Sequence, residues 1–141
     1  SMIKNKDKYA HKNNLKVVFC IEENKKEKKN NKTLSILKRQ LTKVLEKNFN
    51  KNNIIIAYEP IWSIGTGKIP TTNELKKTTI HIKKVLREIF KKTSPAVLYG
   101  GSVDGNNVEM FKEIREIDGF LIGGASKISK KFIDIIKNYY R

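Results

Sequence analysis

Ala57-Tyr58-Glu59-Pro60-Ile61-Trp62-Ser63-Ile64-Gly65-Thr66-Gly67-Lys68 follows directly on the apolar, β-branched run Ile54-Ile55-Ile56. That run reads as a buried strand, because branched side chains fill a pleated surface enclosed on both faces. A carboxylate, Glu59, therefore stands where the strand ends, and a glycine-containing loop begins at the next residue. Pro60 fixes the start of the loop while Gly65 and Gly67 free its far end, so a stiff arm carries a mobile tip. Trp62, between them, is placed to pack the loop over whatever Glu59 faces. A base at a strand end beneath a closable loop suits chemistry that must exclude water.

Working outward, residues 15–21 predict a strand before this one, and residues 22–32 a charged loop rich in Lys, Glu and Asn. Thr33 is expected to cap a helix whose Leu34, Leu37, Leu41, Val44 and Leu45 share one face. Residues 48–53 read as a polar turn and residues 54–58 as the second strand. After the loop, Thr71-Thr72-Asn73-Glu74 is a helix start, and Leu75, Ile82, Val85, Leu86 and Ile89 carry that helix's buried side. Residues 96–99 form a third predicted strand, with a short helix near residues 107–115 presenting Val108, Phe111 and Ile114. Residues 120–122 make the fourth strand. A closing helix over residues 130–140 is expected to bury Phe132, Ile133, Ile135 and Ile136. Strand–helix alternation of this kind argues an α/β fold with a parallel sheet and right-handed crossovers.

A chain of 141 residues is one domain by length. No apolar run approaches about 18 residues, so no membrane span is expected. No signal-peptide core appears at the N-terminus, and Ser1-Met2 reads as a cloning remnant before the natural chain. Cys20 alone excludes an internal disulfide and fits a reducing compartment, cytoplasmic or plastid-like; within an apolar strand it is expected to be a small core residue. Net charge is +16, from 30 Lys+Arg against 14 Asp+Glu. Nearly all of that base is Lys, spread along the chain with no aromatic-interleaved strip, so nucleic acid is not an expected partner. The positive field does favour an anionic substrate.

The stretch AYEPIWSIGTGK resembles the catalytic-glutamate strand and flexible loop of triosephosphate isomerases. Leu98-Tyr99-Gly100-Gly101-Ser102-Val103 and Asp118-Gly119-Phe120-Leu121-Ile122-Gly123-Gly124-Ala125-Ser126 resemble later segments of that family, in order and spacing. Leu15-Lys16-Val17-Val18-Phe19-Cys20-Ile21 is similar to the family's fifth strand. The resemblance implies a parallel (βα)4 half of a TIM (β/α)8 barrel, strands five to eight. Residues 1–14 would be the partly frayed end of a preceding helix, with the N-terminal barrel half absent. It implies Glu59 as the catalytic base, moving a proton between adjacent carbons of a triose phosphate through an enediolate. Gly65, Ser102, Gly123 and Gly124 would turn backbone N–H groups toward the substrate phosphate, where glycine lets the backbone approach the oxygens. Pro60, Trp62, Ile64, Thr66, Gly67 and Tyr99 would form the lid and its seat. No metal and no organic cofactor are implied. The implied partners are the triose phosphate, the missing barrel half, and a second copy in a homodimer or larger self-association.

Departures from the family pattern add further expectations. The family's catalytic lysine and electrophilic histidine follow strands that this chain lacks, so the chain alone is expected to be inactive. His11 and His81 match neither and are read as surface or packing residues. Pro70 stands where the family has an alanine whose N–H bonds the tyrosine matching Tyr99, so that latch is expected to be lost. Glu23 matches an acidic residue near the lid tryptophan, which predicts a Trp62–Glu23 contact in the open lid. The alternative reading is a non-catalytic half-barrel that pairs with itself or with a partner half, because open sheet edges and an uncovered apolar face invite pairing.

Overall fold

Parallel strands need long crossovers, and each strand here is followed by enough chain to supply one. In a computed structural model that describes residues 2–47 and 49–141, four parallel strands form one sheet in the order β1 (Val17–Ile21), β2 (Ile54–Tyr58), β3 (Ala96–Tyr99), β4 (Gly119–Phe120). The expectations for Ser1 and for Asn48 fall outside the described residues. Helices α1 (Met2–Lys12), α2 (Lys25–Lys29), α3 (Thr33–Val44), α4 (Thr72–Ile89) and α5 (Ser129–Tyr140) accompany the strands. The arrangement is a parallel (βα)4 sheet, half of a TIM barrel. Among the described residues, no helix is long and apolar enough to cross a membrane.

The core forms where amphipathic helices meet the sheet. Leu37 and Leu41 of α3, Ile82 and Leu86 of α4, and Ile21 and Ile56 of the strands are fully buried in one cluster. α4 begins where Thr71 accepts from the Glu74 N–H and Glu74 returns a bond to the Thr71 N–H, so the expected start signal is a closed capping box. From β2 the core continues as a run of rings: Tyr58, Tyr99, Phe111, Phe120 and Tyr139, with neighbouring centroids 5.1–6.3 Å apart.

Several expectations are corrected. Residues 22–32 are not all loop: Asn24 and Glu27 make a second capping box that starts α2. Thr33 is the first residue of α3 rather than its cap, which is Lys32 with no side-chain bond. The fourth strand pairs only at Gly119 and Phe120. The N-terminal segment, read as the partly frayed end of a preceding helix, is indeed helical, over Met2–Lys12. Asp7 is buried there, His11 stacks on Phe49, and the His11 Nε2 accepts the Asn50 N–H.

The largest corrections concern what covers the apolar faces. Cys20 is exposed, not a core residue, and Val18 beside it on the same face of β1 is 48% exposed. On α5 only Ile135 is buried, while Phe132, Ile133 and Ile136 are 38%, 46% and 45% exposed. Full burial of such a side chain is worth about 1.5–3 kcal/mol, so these faces forgo several kcal/mol together. The cause is topological: β1 and β4 are the sheet's two edges, with no further strand beside either among the described residues.

Candidate functional site

The strand register decides which side chains share the sheet's C-terminal rim. Ile21, Tyr58, Tyr99 and Phe120 are aligned across the four strands. The ladder runs one residue further, through Glu59 N–H to Ile21 O (2.9 Å), Gly100 N–H to Tyr58 O (2.8 Å) and Leu121 N–H to Tyr99 O (2.9 Å). Glu59 is therefore held by its backbone at the rim, half-buried, between the ends of β1 and β3.

Its side chain lies across Gly100. A Cβ on Gly100 would come 2.6 Å from the Glu59 Cγ and 3.1 Å from its Oε1, so the carboxylate can rest there only above a glycine. On the other side is Cys20. Loss of hydration, and then the hydrogen bond and charge of Glu59, push its thiol up to about 12. The sulfur thus stays protonated near neutrality and adds no second negative charge beside Glu59.

The lid over this rim is fixed at both ends. At its start, Trp62 Nε1 donates to Glu23 Oε1 at 2.9 Å and the Tyr58 hydroxyl donates to the same oxygen at 3.0 Å. This is the predicted Trp62–Glu23 contact. Glu23 is only 1% exposed and its Oε2 has no hydrogen-bond partner among the described residues. Burial pushes its carboxyl above the usual range, against the pull of the Trp62 and Tyr58 hydrogen bonds. Lys28 closes over the indole, its Nζ 3.6 Å from the ring centroid. Gly65 and Gly67 have φ of +66° and +73°, the left-handed conformation for which glycine is suited.

The lid's middle is held by Ser63, which sequence reasoning missed. Its hydroxyl is completely buried and makes three contacts. It donates to the Lys68 carbonyl at 2.5 Å, accepts from the Ser102 N–H at 3.2 Å, and lies 3.0 Å from the Tyr99 hydroxyl. One donor and two acceptor sites exhaust a serine hydroxyl, so Tyr99 is the donor in that pair. Ser102 replies from the other loop, its Oγ donating to the Ser63 carbonyl at 2.5 Å and accepting the Gly67 N–H at 3.2 Å. Pro70 indeed offers no N–H, and Tyr99 finds its partner in Ser63. A Cβ on Gly101 would stand 2.1 Å from the Tyr99 hydroxyl oxygen, which makes glycine a requirement of that pair.

Glu59, Ile64, Gly65, Gly67, Ser102, Gly123 and Gly124 line one cavity of about 450 Å³ between lid and rim. A Cβ on Gly123 or Gly124 would meet nothing within 4 Å, so this wall opens onto free space. Gly124–Lys127 is a short 3-10 helix. Pro60, Trp62, Thr66 and Tyr99 do not line the cavity. Pro60 and Tyr99 are buried behind the lid, and Trp62 and Thr66 line a separate pocket with Lys25, Lys28, Lys29 and Lys68. His81 Nε2 lies 3.0 Å from the Leu34 carbonyl and His11 packs on Phe49, so both are packing histidines. Asp118 serves the sheet, accepting the Val97 N–H at 2.7 Å and pairing with Lys83 at 2.9 Å. Besides Ser63, the sequence reading passed over Gly100 and Gly101, signalled by two glycines directly after a strand. It also passed over Lys131, which no local pattern marks.

Residues 1–139 match the family model described as triosephosphate isomerase. The triosephosphate isomerase of Yarrowia lipolytica is 41% identical over 138 residues, that of Saccharomyces cerevisiae 40% over 139, and that of Debaryomyces hansenii 41% over 143. Each alignment covers 96% of this chain and 56% of the relative, so the chain spans about half the length of the curated relatives it matches. With the parallel half-barrel, the glutamate at its rim and a match running almost end to end, this chain belongs to the triosephosphate isomerase family.

Proposed function

We propose that this chain carries the proton-moving carboxylate and the phosphate-binding loops of a triosephosphate isomerase. The activity would interconvert glyceraldehyde 3-phosphate and dihydroxyacetone phosphate. Glu59 takes a proton from one carbon and returns it to its neighbour. Gly65, Gly123 and Gly124 hold the phosphate, joined by Ser102 once lid movement frees its N–H and hydroxyl from Ser63, and the lid keeps water from the enediolate. The observation that carries this reading is the seat of Glu59 on Gly100, inside the one cavity that also takes the lid glycines and Gly123-Gly124.

The same reading makes the 141-residue chain inactive by itself. Developing negative charge on the carbonyl oxygen needs a donor, and the cavity supplies no histidine. That donor, and the catalytic lysine of the family, would come from the other barrel half. A coupled isomerase assay tests this on the chain alone and on a chain extended upstream, each with Glu59→Gln. Turnover in the extended chain only, reduced about 10²–10⁴-fold by the substitution, is the expected result. Glu59-dependent turnover in the short chain would overturn the requirement for the second half, and turnover indifferent to Glu59 would overturn the role of the base.

A second reading is supported by the bare faces of β1 and α5: the chain alone pairs with another copy or with a partner half through Val18, Phe132, Ile133 and Ile136. Light scattering over a concentration series should then show a mass that rises with concentration and falls with Val18→Lys. A constant monomer mass would end this reading.

A further inference from the structure

The charges around the cavity are poorly suited to an anion except at one point. Glu59 and Asp104 both line it, and two carboxylates repel a phosphate group. Asp104 is partly neutralised locally, because its Oδ1 accepts the Asn106 N–H at 2.8 Å and the Asn107 N–H at 3.0 Å. The lid and rim glycines and the Ser102 hydroxyl contribute dipoles but no net charge. The cavity's one cationic side chain among the described residues is Lys131, from the first turn of α5.

Lys131 has no ion-pair partner among the described residues, where eleven other charged side chains are paired with one another. Nor does the helix call for it. A cation in the first turn faces the positive end of the helix dipole, and that turn of α5 holds no acidic residue to offset it. An anion seated in the cavity would offset that unfavourable position.

We propose that Lys131 is a phosphate-binding residue of this site, its ammonium group supplying the countercharge that the backbone N–H groups lack. The ligand class is a phosphate monoester dianion, and the assignment rests on the reading of this cavity as a phosphate site.

Titration of the 141-residue chain with inorganic phosphate at constant ionic strength, followed through the amide resonances of Gly65, Gly67, Gly123 and Gly124, tests this. Three variants accompany the parent: Lys131→Gln, Lys131→Arg, and Lys130→Gln as a control with the same charge change at a residue outside the cavity lining. Lys131→Gln should weaken binding about tenfold, as for loss of one charge-assisted contact. Lys131→Arg should retain binding, and Lys130→Gln should stay within about twofold of the parent. Parent-like affinity in Lys131→Gln would overturn the role of Lys131 and leave the phosphate site standing. Equal weakening by Lys130→Gln would reduce the effect to net charge and overturn it too. Silence of all four glycine amides in the parent would overturn the phosphate site itself, and Lys131 with it.

Discussion

The Ser63 hydroxyl lies 3.0 Å from the Tyr99 hydroxyl, in a lid whose Pro70 has no N–H to give to that tyrosine. Ser63 also holds the Lys68 carbonyl and the Ser102 N–H, so one buried oxygen joins the lid's two ends to the loop after β3. Ser63→Ala leaves a buried tyrosine hydroxyl, a carbonyl and an N–H short of a partner. The loss of stability should be about 1–3 kcal/mol in urea unfolding, with faster exchange of the Ser102 amide. An unchanged midpoint and unchanged exchange would mean that the lid is held elsewhere.

Gly100 is a steric requirement of Glu59. The added methyl of Gly100→Ala would need the space of the Glu59 Cγ, and the flexible carboxylate is the part that yields. In the extended chain, displacement by about 1 Å should lower kcat about 10²-fold with a much smaller effect on KM. The melting temperature should stay close to the parent's, because the side chain moved is at the rim and not in the core.

Glu23 sets a dependence on pH with a definite sign. Its folded-state pKa is raised above the ordinary 4.5, so the native state binds more protons than the unfolded chain in that window. Stability from this group is therefore present below 4.5 and falls as pH rises through the folded value. Gln mimics the protonated acid and still accepts from Trp62 and Tyr58. Glu23→Gln should be at least as stable as the parent at about pH 7, with the difference vanishing by about pH 4. A variant less stable than the parent at neutral pH would show that the charged form is the favoured one.

Glu74 has the opposite sign. The Thr71 N–H and hydroxyl hold its carboxyl below the usual range, so its contribution is present above the ordinary 4.5 and is lost as pH falls through the lowered value. Thr71→Ala opens the capping box and should cost about 1 kcal/mol at neutral pH. Circular dichroism during urea unfolding measures this, and α4 should shorten from its N-terminal end.

Legibility in the sequence followed the range of the interactions involved. β2, Glu59 and the glycines of the lid were readable because an apolar run, a proline and two glycines are neighbours in the chain. Thr71 and Glu74 marked α4 for the same reason, and Asn24 and Glu27 carried an equal signal for α2. Cys20, Phe132, Ile133 and Ile136 misled because composition shows a side chain's preference, whereas burial depends on what lies opposite. Here β1 and β4 are edges, and the preference goes unmet. Ser63 was unreadable in another way: its partners come from Lys68, Tyr99 and Ser102, which only the fold assembles.

The hydrogen bond from Trp62 to Glu23 has a practical consequence. The chain holds a single tryptophan, so its ultraviolet emission comes from one place in the lid, between a buried carboxyl and the Lys28 ammonium. Movement of the lid away from this position would break both contacts and shift that emission, while the tyrosines stay dark to selective excitation. The molecule thus contains its own optical gauge of lid position, readable in a stopped-flow instrument without any label.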